Sequence, residues 1–431
     1  MIKFKWETEF KQTEIGEVPR EWEIKKIEEI ANVLTGGTPS RKNKEYWGGD
    51  INWVKSQEVR KYFIWETEEK ITEKGMRKSN AKRIYPPNTV LIALYGATAG
   101  EVALLKVPAT VNQAIAALEG HKASNLFLFH LLLANKERLK DVSIGSAQQN
   151  LYLKDIKNFE VVLPPANDEQ SRIATVLSWF DDLIENKKRQ NEILEKTAMA
   201  IFKSWFVDFE PFKDEEFVDS ELGRVPEGWE VKAIGEVAEF VKGLSYRSNE
   251  LVDNLTEGEI FITLKIFKRG GGFRPEYKYY RGNRYSDEQV VYDGDLVIAL
   301  TDMTSDAKVV GAPALVILPP DRNKGILSLD AAKLNAPQYM KEYVYLYLKD
   351  SQEENSTFAN GVNVLHLNLN LFKVGKLILI PPQPILQHFH SLVEPLFQKI
   401  ILNQRQIMVL RKIRDALLPK LVFGKLRVTK I

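Results

Sequence analysis

The stretch that most constrains this chain runs from Asn167 to about Phe206. Pro164 and Pro165 stop what precedes it, and Asn167 with Gln170 three residues on reads as a capping box. Apolar residues then recur in alternating steps of four and three: Ile173, Leu177, Phe180 and Ile184, later Leu194, Ala198, Ile201 and Trp205. That is the seam of a long helix lying against another helix. At 1.5 Å per residue it spans roughly 60 Å, far longer than most helices in globular domains. Lys187 and Asn191 interrupt the seam, so the partner must supply polar groups there.

A partner stands near the C-terminus. After Pro381-Pro382-Gln383-Pro384 the same alternation carries Phe389, Val393, Leu396, Ile400, Asn403, Ile407, Leu410, Arg414, Leu417 and Leu421. Asn403 and Arg414 are polar breaks that favour one register over its neighbours. Pro395 predicts a kink. The alternative is two separate amphipathic helices, each on its own domain, but both runs exceed what one domain face needs.

An internal repeat sets the organisation. Glu14-Ile15-Gly16-Glu17-Val18-Pro19, then Trp22-Glu23-Ile24-Lys25 and Ile27, returns as Glu221-Leu222-Gly223-Arg224-Val225-Pro226, Trp229-Glu230-Val231-Lys232 and Ile234. Eleven of the 23 positions from 14–36 are identical in 221–243. Val162-Leu163-Pro164-Pro165 likewise matches Leu379-Ile380-Pro381-Pro382, and Arg189-Gln190 matches Arg405-Gln406. The unit is a globular segment, a double proline and a long helix, taken twice, with a period too long for a solenoid. The expected boundaries are 1–163 for the first globular domain, 164–210 for the first helix, 211–380 for the second domain and 381–431 for the second helix and tail. If the helices pack antiparallel, the two segments take equivalent places about a pseudo-twofold axis.

With 431 residues, 44% apolar and 27% charged, two or three domains with real cores are expected. A net charge of +2 leaves any nucleic-acid contact to local patches. There are no cysteines, which excludes disulfides and thiolate metal sites. Five scattered histidines argue against a metal centre, and His388 and His390 do not share a helix face. No apolar run reaches membrane-spanning length, and the N-terminus lacks a signal-peptide core. A soluble, cytoplasmic protein is expected.

In the first segment, Glu28 to Val33 reads as a short helix, and Ile51 to Val54, Val90 to Tyr95, Val102 to Leu105 and Ile115 to Leu118 as strands. Asn125 to Leu139 reads as a helix. In the second, Glu259 to Lys265 and Leu296 to Leu300 read as strands. The class is α+β, with two globular domains built on twisted sheets and separated by an antiparallel two-helix coiled coil.

Between the two strands of the second segment lie Lys265, Lys268, Arg269, Arg274, Lys278, Arg281 and Arg284, with Glu276 the only acid in that stretch. Tyr277, Tyr279, Tyr280 and Tyr285 interleave, and Gly270-Gly271-Gly272 permits close backbone approach to a ligand. Basic and aromatic interleaving suits phosphate contact; the bland reading is a solvated hairpin. In the first segment Arg41, Lys42 and Lys44 adjoin Tyr46 and Trp47, and Lys78 and Arg83 belong to a second basic group. Each cluster could equally be ordinary charged surface. Gln148 and Gln149 lie in a polar loop whose amides could read adenine edges or cap a turn.

The stretch Thr35-Gly36-Gly37-Thr38-Pro39-Ser40 through Tyr46-Trp47-Gly48-Gly49-Asp50-Ile51 carries a family resemblance, supported by Tyr95-Gly96, by Asn112-Gln113-Ala114 and by the two long helices. Over essentially its whole length the chain resembles the DNA specificity subunit of type I restriction–modification systems. The second segment departs from the marker, reading Lys242-Gly243-Leu244-Ser245-Tyr246. The resemblance implies that each domain reads one half of a split, asymmetric site in double-stranded DNA, with Thr38 and Ser40 among the contacts. The helices set the spacer and dock two modification subunits, and restriction subunits join that complex. It implies no catalytic residue, no metal and no cofactor in this chain; the partner subunits would use S-adenosylmethionine, ATP and Mg.

Negative signs agree with a non-catalytic subunit. There is no Gly-x-x-x-x-Gly-Lys-[Ser/Thr] loop. Neither double proline completes the Asn- or Asp-Pro-Pro-aromatic motif of amino-methyltransferases, and Glu276-Tyr277-Lys278 is only half a nuclease motif. The competing expectation is a coiled-coil scaffold with protein-binding globular ends; an enzyme acting alone comes third.

Overall fold

The computed structural model describes residues 2–142, 150–165, 167–253, 257–304 and 306–430. They form two compact units, Met1–Asp182 with Arg411–Ile431, and Leu183–Leu410. Both long helices, Asn167–Phe206 and Gln383–Val422, are single elements of 40 residues and contribute to each unit. The second passes Pro395 without ending.

The first unit is built on a five-stranded sheet in the order Ala31–Thr35, Ile115–Gly120, Val90–Ala93, Val102–Leu105, Phe63–Ile64. Its central strands are continuous apolar runs because both faces are buried. Val90, Ile92, Val102, Leu104, Ala116 and Leu118 face one core, which also takes in Ile173, Leu177 and Leu421 of the long helices. The alternate residues Leu91, Ala93, Ala103, Leu105, Ile115 and Ala117 face a second, smaller core. A period of two divides each strand between the cores.

The second unit repeats the plan. Leu296, Ile298, Leu315, Ala332 and Leu334 join the core that holds Phe202 and Phe389, while Val297, Ala299, Ala314, Val316 and Ala331 face the other way. The strand before each double proline also repeats its pairing: Glu160–Leu163 with Glu23–Lys26, and Leu377–Ile380 with Glu230–Ala233, both antiparallel.

Several local expectations need adjustment. The helix begun at Ile27 stops at Ile30, and Ala31–Thr35 is already strand. The strand from Val90 ends at Ala93, before the 3-10 turn at Gly96–Thr98. The helix expected from Asn125 to Leu139 is two, Asn125–Ala134 and Lys136–Val142. Buried Asn135 divides them, its amide donating to the Leu131 carbonyl at 2.8 Å. The strand from Glu259 ends at Ile262, giving way to a 3-10 turn at Leu264–Ile266.

Within each unit the long helices run antiparallel. In the second, Phe206 meets Phe389 at 4.8 Å between ring centroids, Asn403 donates to Asn191 at 3.0 Å, and Lys187 reaches Gln406. The polar seam positions thus find polar partners. In the first, Arg414 is answered by Asp181 at 2.9 Å. Of the expected seam, Ile173, Leu177, Ile184, Phe389, Val393 and Ile407 are buried. Phe180, Leu194, Ile201, Leu396, Ile400, Leu410 and Leu417 are half-buried.

The first unit is also closed by the chain's two ends. Ile2–Trp6 pairs antiparallel with Leu426–Lys430. Arg427 in the C-terminal strand binds Glu7, Glu21 and Glu169 at 2.5 Å each.

Candidate nucleic-acid interface

In the first unit the Gly-Gly-Thr-Pro loop follows directly from the edge strand Ala31–Thr35. Gly36 is required by packing: a Cβ there would lie 1.8 Å from the Val111 carbonyl oxygen. Gly243, its repeat mate, is as tight, with a Cβ 2.1 Å from the Ser328 oxygen. The shared glycine therefore serves the sheet edge.

Beyond it, the Thr38 hydroxyl donates to Gln113 at 2.5 Å, and the Ser40 carbonyl accepts from the Trp47 indole at 3.3 Å. Arg41 stacks on Trp47, 3.7 Å above its centroid, and pairs with Glu69. Tyr46 is half-buried beside the helix Glu73–Arg77. Arg83 pairs with Glu119. Lys42, Lys44 and Lys78 are exposed and have no ion-pair partner among the described residues. Gln148 and Gln149 lie outside the described residues.

In the second unit the basic stretch is less unbalanced than its sequence suggests, because distant acids fold onto it. Arg269 pairs with Asp306, and Arg284 forks onto Glu250 at 2.6 and 2.7 Å. Arg274 donates to the Lys265 carbonyl at 2.9 Å and lies 3.4 Å from Glu276. Lys265, Lys268 and Arg281 are exposed and Lys278 is half-buried in the strand Lys278–Tyr280; these four have no ion-pair partner among the described residues. The glycines approach protein backbone: Gly270 donates to Lys308 at 2.7 Å and Gly272 to Pro313 at 2.8 Å. The aromatics are structural in part. The Tyr277 hydroxyl donates to the Ile317 carbonyl at 2.6 Å, and Tyr280 is buried.

Sequence reasoning missed the anchor beneath the first unit. Asp181, 2% exposed, accepts from the Tyr62 hydroxyl at 2.8 Å and from Arg414 at 2.9 Å. Burial pushes its carboxyl up against the pull of Arg414 and Tyr62. The paired guanidinium, held charged, keeps it an ion pair. Buried His130 sits 3.7 Å from Asp181, and burial, with Arg414 and Lys106, holds its imidazole down to about 3. It is neutral, so that contact is not an ion pair.

Among the described residues no group of His, Cys, Asp or Glu could hold a metal ion, and no helix is long and apolar enough to cross a membrane.

Residues 19–196 match the family described as type I restriction modification DNA specificity domain. The chain is 41% identical over 447 aligned positions to the type I restriction enzyme MjaIX specificity subunit of Methanocaldococcus jannaschii, covering 100% of this chain and 99% of that one. The chain belongs to the type I restriction–modification specificity subunits. This specificity subunit is also 28% identical to the MjaVIII specificity subunit of the same organism, over 70% of its own length and 68% of the relative's. In fold it is similar to the crystal structure of the type I restriction–modification S subunit from M. genitalium, with a TM-score of 0.56 at 15% identity, covering 93% of this chain and 96% of that one.

Proposed function

We propose that this specificity subunit is the DNA-reading, non-catalytic component of a type I restriction–modification complex. Its two sheet units each read one half of a bipartite, asymmetric site in double-stranded DNA. The paired long helices set the spacer and dock two modification subunits, which carry S-adenosylmethionine chemistry. Restriction subunits, using ATP and Mg, join that assembly, and this chain needs no cofactor of its own. Its working place is the cytoplasm, where host DNA lies.

One observation carries the reading: a single sheet plan is used twice, with unlike loops, in a full-length relative of a specificity subunit. Two readers of one design with different surfaces suit a site with two different halves. Equivalent groove faces recur about 34–36 Å apart, within the reach of helices of roughly 60 Å. The scaffold alternative has no support in the family.

Mapping methylated bases in the source genome tests this. One interrupted, asymmetric motif should carry the modification, and deleting the gene for this chain should abolish it. Methylation that is unchanged in the deletion strain contradicts the reading.

A further inference from the structure

In the second unit a short ribbon stands out for what it lacks. Ala359–Asn360 pairs antiparallel with Leu365–Leu367, and Thr301–Asp302 pairs with the same strand from the other side. The tip, Gly361 to Val364, is exposed. Val362 is 93% exposed, and Met303, just past the neighbouring strand, 77%.

The ribbon's turn is tight. Gly361 turns at φ +127, and a Cβ there would lie 2.0 Å from the Val364 carbonyl oxygen. Beneath, buried Asp302 accepts from the backbone of Thr304, Val309 and Val310. Yet the side-chain amides of Asn360 and Asn363 have no hydrogen-bond partner among the described residues. An exposed turn with unpartnered amides and an apolar tip can meet something outside itself.

Charge narrows the partner. No Asp or Glu occurs between Glu354 and Glu394, although acids are frequent elsewhere in the chain. The one acid of the adjoining strand, Asp302, is buried and engaged. Two further acids reach that edge and are engaged, Asp330 with Thr301 and Asp306 with Arg269; the ribbon itself carries no acid, which suits a polyanion.

The repeat places the ribbon in the plan common to both units. At a constant offset of 216, Gly361, Leu367, Leu369 and Lys373 match Gly145, Leu151, Leu153 and Lys157. The bridge Thr301↔His366 repeats the bridge Tyr95↔Asn150 of the first unit. In sequence the ribbon thus aligns with the stretch that holds Gln148 and Gln149, which lies outside the described residues.

We propose that the Ala359–Leu367 ribbon of the second unit enters the DNA major groove and reads bases, with Asn360 and Asn363 as amide readers and Val362 as an apolar contact. The major groove admits a two-stranded ribbon, Asn pairs with the adenine edge, and apolar groups meet the thymine methyl. This rests on the DNA-recognition reading and names residues for one half of it.

The test is selection by the full-length chain from a duplex library with randomised positions, comparing wild type with N360A/N363A and V362A. These side chains are exposed, so the variants should unfold at the wild-type temperature. The expected result is a preference weakened about ten-fold or more at one or two positions of one half-site, with the other half and the spacer unchanged. Base preferences identical to wild type at every position overturn the proposal. So does affinity lost equally on all sequences, since the ribbon would then touch only backbone. A wild type that selects no sequence at all defeats the DNA-recognition reading itself, which is a distinguishable failure.

Discussion

Arg414 of the second long helix donates to buried Asp181 of the first at 2.9 Å, and Tyr62 of the sheet unit donates to the same carboxylate at 2.8 Å. One acid therefore ties a loop of the first unit to both helices. A buried pair of this kind costs desolvation that only good geometry recovers, and removing one partner leaves a buried charge.

Arg414→Ala should destabilise the chain by about 3–5 kcal/mol. Asp181→Leu combined with Arg414→Met should recover most of that, since an apolar pair avoids the desolvation cost. Denaturant midpoints of the single and double variants measure it. Additive losses would mean the two residues do not act as a pair.

His130 gives a pH signature. Its folded value of about 3 lies below the ordinary 6.5. Between those limits the unfolded chain binds a proton that the folded chain does not. Its contribution is fully present above pH 6.5 and is lost as pH falls, at roughly 1.4 kcal/mol per unit. The stability of His130→Leu should therefore fall less steeply than wild type from pH 6.5 towards 3. Parallel curves would contradict it.

Arg427 holds three acids at the closure of the first unit. Arg427→Ala should cost about 1.5–3 kcal/mol, the range for hydrogen bonds to charged groups, by leaving three carboxylates facing one another. An unchanged thermal midpoint would assign the closure to the strand pairing alone.

Lys265 and Lys268 are exposed cations of the basic stretch without an ion-pair partner among the described residues. Converting both to Glu should weaken duplex binding on all sequences. The slope of log affinity against log salt should become shallower by about 2. An unchanged slope would remove this loop from the interface. Arg284→Glu should act first on folding, because it breaks the fork to Glu250.

What the sequence disclosed follows from range. The helix seam and its polar breaks are local patterns, so Lys187, Asn191, Asn403 and Arg414 could be picked out, and the repeat exposed the twofold use of one plan. Which acid answers Arg414 could not be read, because Asp181 lies in the other helix. The balance of the basic stretch is hidden for the same reason: Asp306 and Glu250 lie outside it in sequence and beside it in space. The Ala359–Leu367 ribbon carries no charge cluster, and its exposure shows only in the fold. The pairing of Ile2–Trp6 with Leu426–Lys430 joins opposite ends of the chain, which no local pattern announces.

The central claim is that the paired helices fix the distance between two readers. One heptad inserted between Asp182 and Leu183, and another between Leu410 and Arg411, leaves each compact unit's own residues intact. Seven residues add about 10 Å of helix, or about three base pairs at 3.4 Å each. Selection from a randomised duplex library should return the same two half-sites with a spacer longer by about three base pairs, bound more weakly where the twist is unfavourable. The same half-sites at the original spacing would contradict the account.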